Sequence, residues 1–359
     1  MKSLKLAVLA GDGIGPELME ACLPFQDWIG ERCGVRIHPV PALVGWAAYD
    51  VHGTVMPEET WRVCHESDAI LFGAVGLPGR DEELPKEERP ERKALLPIRH
   101  NFGLGVNIRP VRVFPGLESL SPLKNNRAAG VHLTFFRELI GGDYFGERHE
   151  DPNGDWAEDV CRYERWQIES IARVAFARAL RTGETVTSID KANVLGATGT
   201  FWRRVVQELH DRKFPNVKLQ HVFVDAFNLY LMTRPADFQI VLTSNAQGDT
   251  LSDGGAGIAG SMGMLASASI NPKTGYAMYE PAGGSAPTIA GTGRANPIAM
   301  VLSIALLVRY TMKNEVVARE IELAVAETLA EGWRTDDITD GTSSCSTREM
   351  VAAIRRHIR

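Results

Sequence analysis

The sequence predicts an α/β layer fold with a site at the ends of its strands, on three observations. Residues 4–9 form a short apolar run of β type that breaks at Gly11-Asp12-Gly13-Ile14-Gly15-Pro16-Glu17, and residues 18–29 then take up helical spacing. Residues 68–72 read as a second buried strand, broken at Gly73-Ala74-Val75-Gly76-Leu77-Pro78-Gly79. Finally, 359 residues that are 44% hydrophobic are enough for two domains of ordinary size. Two strands that each run into a glycine-rich loop place a site at the strand ends.

The remaining elements follow in order. Residues 80–92 are dense in charge and read as a solvated loop leading to a helix. Apolar residues recur at helical spacing over 166–181, and residues 188–190 end a strand just before Lys191. Residues 217–224 and 238–243 are strand candidates; Asp225 follows the first and Asn245-Ala246-Gln247-Gly248-Asp249 the second. The apolar run 298–308 falls short of the roughly 20 residues that span a bilayer.

Composition removes several classes of function. With 39 Lys+Arg against 45 Asp+Glu the net charge is −6, which repels nucleic acid backbones and anionic bilayers. Neither is expected as a partner. Five cysteines (Cys22, Cys33, Cys64, Cys161, Cys345) are odd in number and free of C-x-x-C pairs. That argues against a disulfide framework and a structural zinc site, and for a reducing cytoplasm. The first ten residues carry lysines and an apolar stretch but no small-residue cleavage site, so they are expected to form a buried strand.

Several residues could carry chemistry. Asp249 and Asp253 are spaced i, i+4, which on a helix puts both carboxylates on one face, within reach of a hard divalent cation. Asp225 offers a third oxygen donor, and three carboxylates with no His or Cys favour Mg²⁺ or Mn²⁺ over zinc. Solvated or capping roles are the ordinary alternative. Arg99, Arg109 and Arg137 lie in apolar or turn contexts, where a guanidinium fork suits carboxylates, either of a substrate or of structural ion pairs. Tyr144 and Lys191 are candidate proton-transfer groups. Gly283-Gly284-Ser285-Ala286-Pro287 could let the backbone approach a flat ring or a pyrophosphate. Neither it nor the first glycine loop has the G-x-G-x-x-G spacing, so a standard Rossmann site is not expected.

Taken together, the motifs resemble the β-decarboxylating dehydrogenases of the isocitrate and isopropylmalate dehydrogenase family. They are Gly-Asp-Gly-Ile-Gly-Pro-Glu (11–17), Asn-Ile-Arg-Pro-Val-Arg-Val-Phe-Pro-Gly-Leu (107–117), Arg-Glu-Leu-Ile-Gly-Gly-Asp-Tyr-Phe-Gly (137–146), Asp-Lys-Ala-Asn-Val-Leu (190–195), Gly-Asp-Thr-Leu-Ser-Asp (248–253) and Glu-Pro-Ala-Gly-Gly-Ser-Ala-Pro (280–287). The resemblance runs in order over the whole chain and is nearest to the isopropylmalate branch.

That resemblance implies a two-domain α/β fold of the isopropylmalate dehydrogenase type: residues 1–104 and 261–359 form the cofactor-side domain, and 105–260 a second domain with the dimer interface. It implies a homodimer with shared sites. Arg99, Arg109 and Arg137 would bind the malate carboxylates. Asp249 and Asp253 would hold Mg²⁺ or Mn²⁺ with Asp225 of the other subunit, which also touches substrate. Lys191, likewise from the other subunit, would take the hydroxyl proton, and Tyr144 would return one to the product. Leu95, Leu96 and Val194 match the pocket for the 3-substituent and are apolar, as an isopropyl group requires. For NAD the implied contacts are Ile14, Gly76 and Asn193, then Glu280, Gly283, Gly284, Ser285 and Ala286, and beyond them Thr288, Ile289, Arg294 and Asn296. K⁺ fits the resemblance without an assigned residue.

The chain departs from the family pattern in places. Thr288 stands where an Asp usually anchors the adenosine ribose, and Arg294 where an aliphatic residue is usual, which makes NADP the alternative dinucleotide. Ala246, Gln247 and Thr250 alter the metal segment, Ile140 and Asp143 flank Tyr144, and Leu77-Pro78-Gly79-Arg80 is also unusual. These changes suggest a diverged paralogue. The expected reaction is oxidative decarboxylation of a 3-substituted malate. Tartrate or malate oxidation is one alternative, and a non-redox protein with weakened dinucleotide binding is another.

Overall fold

A computed structural model describes residues 2–341 and 343–358, the Asn125 side chain excepted. The chain opens with β1 (Lys2–Gly11), α1 (Gly15–Cys22) and α2 (Phe25–Cys33), then β2 (Val35–Pro41), α3 (Trp46–His52), α4 (Glu58–His65) and β3 (Ala69–Ala74). The helical spacing over 18–29 is thus two helices, because Pro24 lacks the N–H that would continue the first. The charged stretch is more ordered than expected. It holds α5 (Pro78–Asp81) and a π-helical turn (Glu91–Leu95) running into α6 (Leu96–Asn101). Arg80 caps the Trp46 ring at 4.0 Å and pairs with Asp50 at 2.8 Å.

Next come β4 (Val106–Arg112), α7 (Asn125–Ala128) and β5 (His132–Glu138), then a hairpin of β6 (Arg148–Glu150) and β7 (Ala157–Asp159). They are followed by α8 (Arg165–Thr182), β8 (Val186–Asp190), α9 (Thr198–Lys213), β9 (Leu219–Phe223), α10 (Val224–Thr233), β10 (Ile240–Thr243) and α11 (Asn245–Ile258). The chain closes with β11 (Ala266–Ile270), β12 (Ala277–Pro281), α12 (Ile298–Tyr310), α13 (Glu315–Ala330) and α14 (Thr347–His357). The strands expected over 217–224 and 238–243 are present but shorter.

Ten strands form one mixed sheet in the order β2-β1-β3-β12-β11-β4-β5-β10-β8-β9. Pairing is parallel in both outer parts and antiparallel across β12-β11-β4-β5. β3, β8 and β10 are buried along their whole length, as sheets covered on both faces require. α12 explains the long apolar run: all but three of its residues are buried, and it packs on β11, β12 and α13. Each large apolar side chain so buried contributes about 1.5–3 kcal/mol. Among the described residues, no helix is long and apolar enough to cross a membrane.

Candidate active site

The first glycine loop is a knot between loops. Gly13 has φ +58°, and a Cβ there would lie 2.0 Å from the Ser285 carbonyl oxygen. The Ile14 N–H donates to that carbonyl at 2.8 Å, and the buried Asp12 carboxylate accepts from the N–H groups of Gly76 (2.8 Å) and Ala47 (3.1 Å). The loop therefore fixes both other glycine loops. Ser285 assists, its hydroxyl donating to the Gly76 carbonyl.

Beneath that knot, a cavity of about 270 Å³ is lined by Leu95, Leu96, Arg99, Arg109, Arg137, Tyr144, Asp249 and Glu280. The three arginines come from α6, β4 and β5, and all are buried. Arg109 and Arg137 are held in part by neighbours that sequence reasoning missed. Arg109 Nε donates to Asn107 two residues back on the same strand face (2.9 Å), and its Nη1 to Ser252 (2.8 Å). Asn107 is in turn held between Ser267 and Ser269 of β11 at 2.8 and 3.0 Å. Arg137 grips Asn245 with Nε (3.0 Å) and Nη2 (2.7 Å), and Asp249 with Nη1. Arg99 pairs with Glu280 at 3.1 Å, while its buried Nε has no protein partner. The period-2 pair Asn107/Arg109 was the only signal of this support readable in advance.

Asp249 and Asp253 do lie one turn apart on α11. A Cβ at Gly248 would stand 2.3 Å from Thr243 Oγ1 and 2.7 Å from Arg137 Cγ, so only glycine lets this helix approach β5. Asp249 accepts from Tyr144 Oη at 2.8 Å, and Arg109 reaches Asp249 and Asp253 at 3.4 and 3.1 Å. Burial opposes the charged form of Asp249, but Arg137 and Arg109 hold its carboxyl below the ordinary range. Burial, then Asp249 itself, pushes the Tyr144 phenol up to about 12. Burial raises the Asp253 carboxyl against the pull of Arg109. Burial, and then Arg109, lowers the pKa of Arg137. Crowded buried guanidiniums with one unsatisfied N–H can chemically accept an anion.

A second cavity of about 570 Å³ adjoins the first at Gly283 and Gly284 and is lined by Ile14, Ala286, Ile289, Arg294, Asn296, Asp336 and Asp337 among others. Ala286 adopts φ +39°, turning the loop beneath it. Arg294 is paired with Asp336 on the cavity wall. Thr288 is exposed and lines neither cavity.

The other expected residues lie apart. Lys191 Nζ donates to Asp225 at 2.6 Å, in the first turn of α10, and this bond foremost holds the Asp225 carboxyl below its ordinary range. Asn193 and Val194, just beyond Lys191, are exposed. No cluster of three metal-ligating side chains forms among the described residues, so Asp225 does not join Asp249 and Asp253 within one chain. Lys191 instead lines a cavity of about 230 Å³ with Asp143, Ala246 and Gln247. Three departures from the family pattern therefore meet beside one lysine, and the Gln247 Oε1 there is buried without a partner.

Glu138 closes β5 wholly buried, accepting the N–H groups of Ile140 (3.1 Å) and Gly141 (2.8 Å). Burial nevertheless pushes its carboxyl from 4.5 up to about 7. A pKa raised by folding contributes stability that is fully present below the unfolded value and lost as pH rises through the folded one. Denaturant titrations from pH 5 to 8 should therefore show a fall on the order of 2–3 kcal/mol that is absent from Glu138→Gln. Parallel profiles would refute it.

Comparison with known proteins agrees with this geometry. The family described as isocitrate/isopropylmalate dehydrogenase matches residues 5–354. A 3-isopropylmalate dehydrogenase of Pectobacterium atrosepticum is 46% identical over 361 aligned residues, covering 99% of this chain and 98% of that protein. One from Pseudoalteromonas translucida is 47% identical, covering 97% of each. The crystal structure of isocitrate dehydrogenase from Methylococcus capsulatus superposes with a TM-score of 0.86 at 30% identity, covering 100% of both chains. Because sequence and architecture are both shared from end to end, this chain belongs to the isocitrate/isopropylmalate dehydrogenase family.

Proposed function

We propose that the protein oxidatively decarboxylates a 3-substituted malate, 3-isopropylmalate or a close analogue, and passes the hydride to NAD. The observation that carries this reading is the convergence of Arg99, Arg109 and Arg137 on one cavity whose wall also holds Leu95 and Leu96. The guanidiniums, including the unsatisfied Arg99 Nε, would take the two carboxylates, and the leucines the alkyl substituent. An isocitrate-type third carboxylate would meet apolar side chains instead.

The all-oxygen pair Asp249 and Asp253 fits a hard cation and gains no third His, Cys, Asp or Glu ligand among the described residues; Asp225 of a second subunit and the substrate would supply the rest. Bound there, Mg²⁺ or Mn²⁺ would polarise the 2-hydroxyl and stabilise the enolate left by CO₂. Lys191 takes the hydroxyl proton as hydride departs, and Tyr144 protonates the carbon that CO₂ leaves. The arginines hold the remaining carboxylates throughout and so fix which face of the substrate meets the nicotinamide.

A homodimer with shared sites is supported by where Lys191 and Asp225 lie. They pair with each other outside the arginine cavity, among the exposed apolar residues Val194, Leu195 and Leu229. The exposed 148–159 hairpin, with Trp156 between its strands, is a further surface for a second subunit. The division at 104/105 and 260/261 is proposed with it, since it falls between β11 and β4 in the sheet.

For the dinucleotide, the adjoining cavity offers Ile14 and Ile289 as apolar lining for adenine. NAD is favoured over NADP because the Arg294 charge is already matched by Asp336, and a 2′-phosphate would meet two carboxylates, Asp336 and Asp337. The test is reduction of NAD⁺ and NADP⁺ with racemic 3-isopropylmalate and Mn²⁺, with malate and tartrate in parallel. Turnover of 3-isopropylmalate with NAD⁺ is the expected outcome. Turnover of malate or tartrate alone would shift the substrate class, and no turnover by a chain that binds Mn²⁺ would sink the redox reading.

A further inference from the structure

A cavity of about 560 Å³ lies away from the catalytic cleft, at the other ends of the strands that carry Arg109 and Arg137. Its floor is one face of the β4–β5 pair, where Arg112 stands opposite His132 and Pro110 opposite Thr134. One wall is the end of α8 with Arg178 and Arg181; the other is the end of α12 and the start of α13, with Arg309 and Arg319.

Five arginines face three glutamates in this space. Arg178 is matched by Glu184 at 3.1 Å, and Arg309 by Glu315 and Glu322 at 2.8 and 2.6 Å. Arg112, Arg181 and Arg319 form no ion pair among the described residues. A second sign comes from the floor. Thr134 is wholly buried, its hydroxyl has no partner, and it shares its strand face with His132, which lines the same cavity. Burial first, and then Arg112 and Arg178, keep the His132 imidazole below its ordinary pKa, with Glu184 and Glu322 opposing.

We propose that this cavity is a second, non-catalytic binding site for a small multivalent oxyanion. Arg112, Arg181 and Arg319 would supply the charge-assisted hydrogen bonds and Thr134 a neutral one. Its volume admits a di- or tricarboxylate or a pyrophosphate-sized group. An occupant would tie α8 to α12 and α13 across strands that also carry two substrate arginines. The site does not depend on which malate the enzyme oxidises.

The test is calorimetric titration of the full chain with citrate and, separately, pyrophosphate, at fixed ionic strength. Arg181→Gln and Arg319→Gln are expected to weaken one binding event roughly tenfold or more while Arg137→Gln leaves that event intact. Proton NMR should show the His132 imidazole pKa rising when the probe is bound, and Thr134→Val, which keeps the side-chain shape, should weaken binding with no loss of fold. Citrate without pyrophosphate would assign a carboxylate ligand, and the converse a phosphate ligand. Binding abolished only by Arg137→Gln, or an unchanged His132 titration, would overturn the proposal.

Discussion

Arg137→Lys should cut kcat/KM by roughly a hundredfold to a thousandfold while keeping the charge in place, because the loss lies in geometry. The native guanidinium is 1% exposed and spends its fork on two partners, Asn245 through Nε and Nη2 and Asp249 through Nη1. It also faces the Tyr144 ring, with Cζ 5.5 Å from the ring centroid. A lysine ammonium is a single point and cannot span both. If the proposed roles hold, KM for the malate rises and kcat falls together, since Asp249 and Tyr144 are set by the same residue. Arg137→Ala should go further and cost about 3–5 kcal/mol of stability, as expected when one member of a buried pair is removed. A lysine variant with unchanged kcat/KM would remove Arg137 from the site.

The second large effect is expected at Tyr144. Burial, and then the Asp249 carboxylate, push its phenol up to about 12, which favours the protonated form that the proposed donor role requires. Tyr144→Phe should lower kcat by about 10²–10⁴ with little change in substrate affinity, the range for loss of a placed acid. Stability should fall by only about 1 kcal/mol, since Asp249 keeps both arginines. Mixing inactive Tyr144→Phe and Lys191→Met subunits after dissociation should restore turnover, because one site of the mixed dimer would hold both native residues. No recovery from a verified mixed dimer would show that Lys191 serves its own chain.

Legibility in the sequence followed the range of the interaction. β1 and the carboxylate pair of α11 were readable because period and i, i+4 spacing are local. The break between α1 and α2 was missed although Pro24 marks it, because the apolar spacing continues across the proline. The three arginines that line the cavity of about 270 Å³ stood out by their apolar contexts. What holds them did not, since Asn245 is more than a hundred residues from Arg137, and Ser267 is as far from Asn107. Arg294 shows the same limit: alone it suggested a phosphate contact, and only the fold places Asp336 against it. Thr288 attracted attention as a missing anchor, yet it is exposed and lines neither cavity.

The strand order in the middle of the sheet also dictates an order of events during synthesis. The inner edge of β3 finds its neighbour only when β12 arrives, about two hundred residues later in the chain. Until then the first three strands present an unpaired, wholly apolar border while β4 and β5 and everything after them emerge from the ribosome. A nascent chain of this protein is thus most exposed to mispairing in its middle third, where a chaperone that shields strand edges would have the most to do.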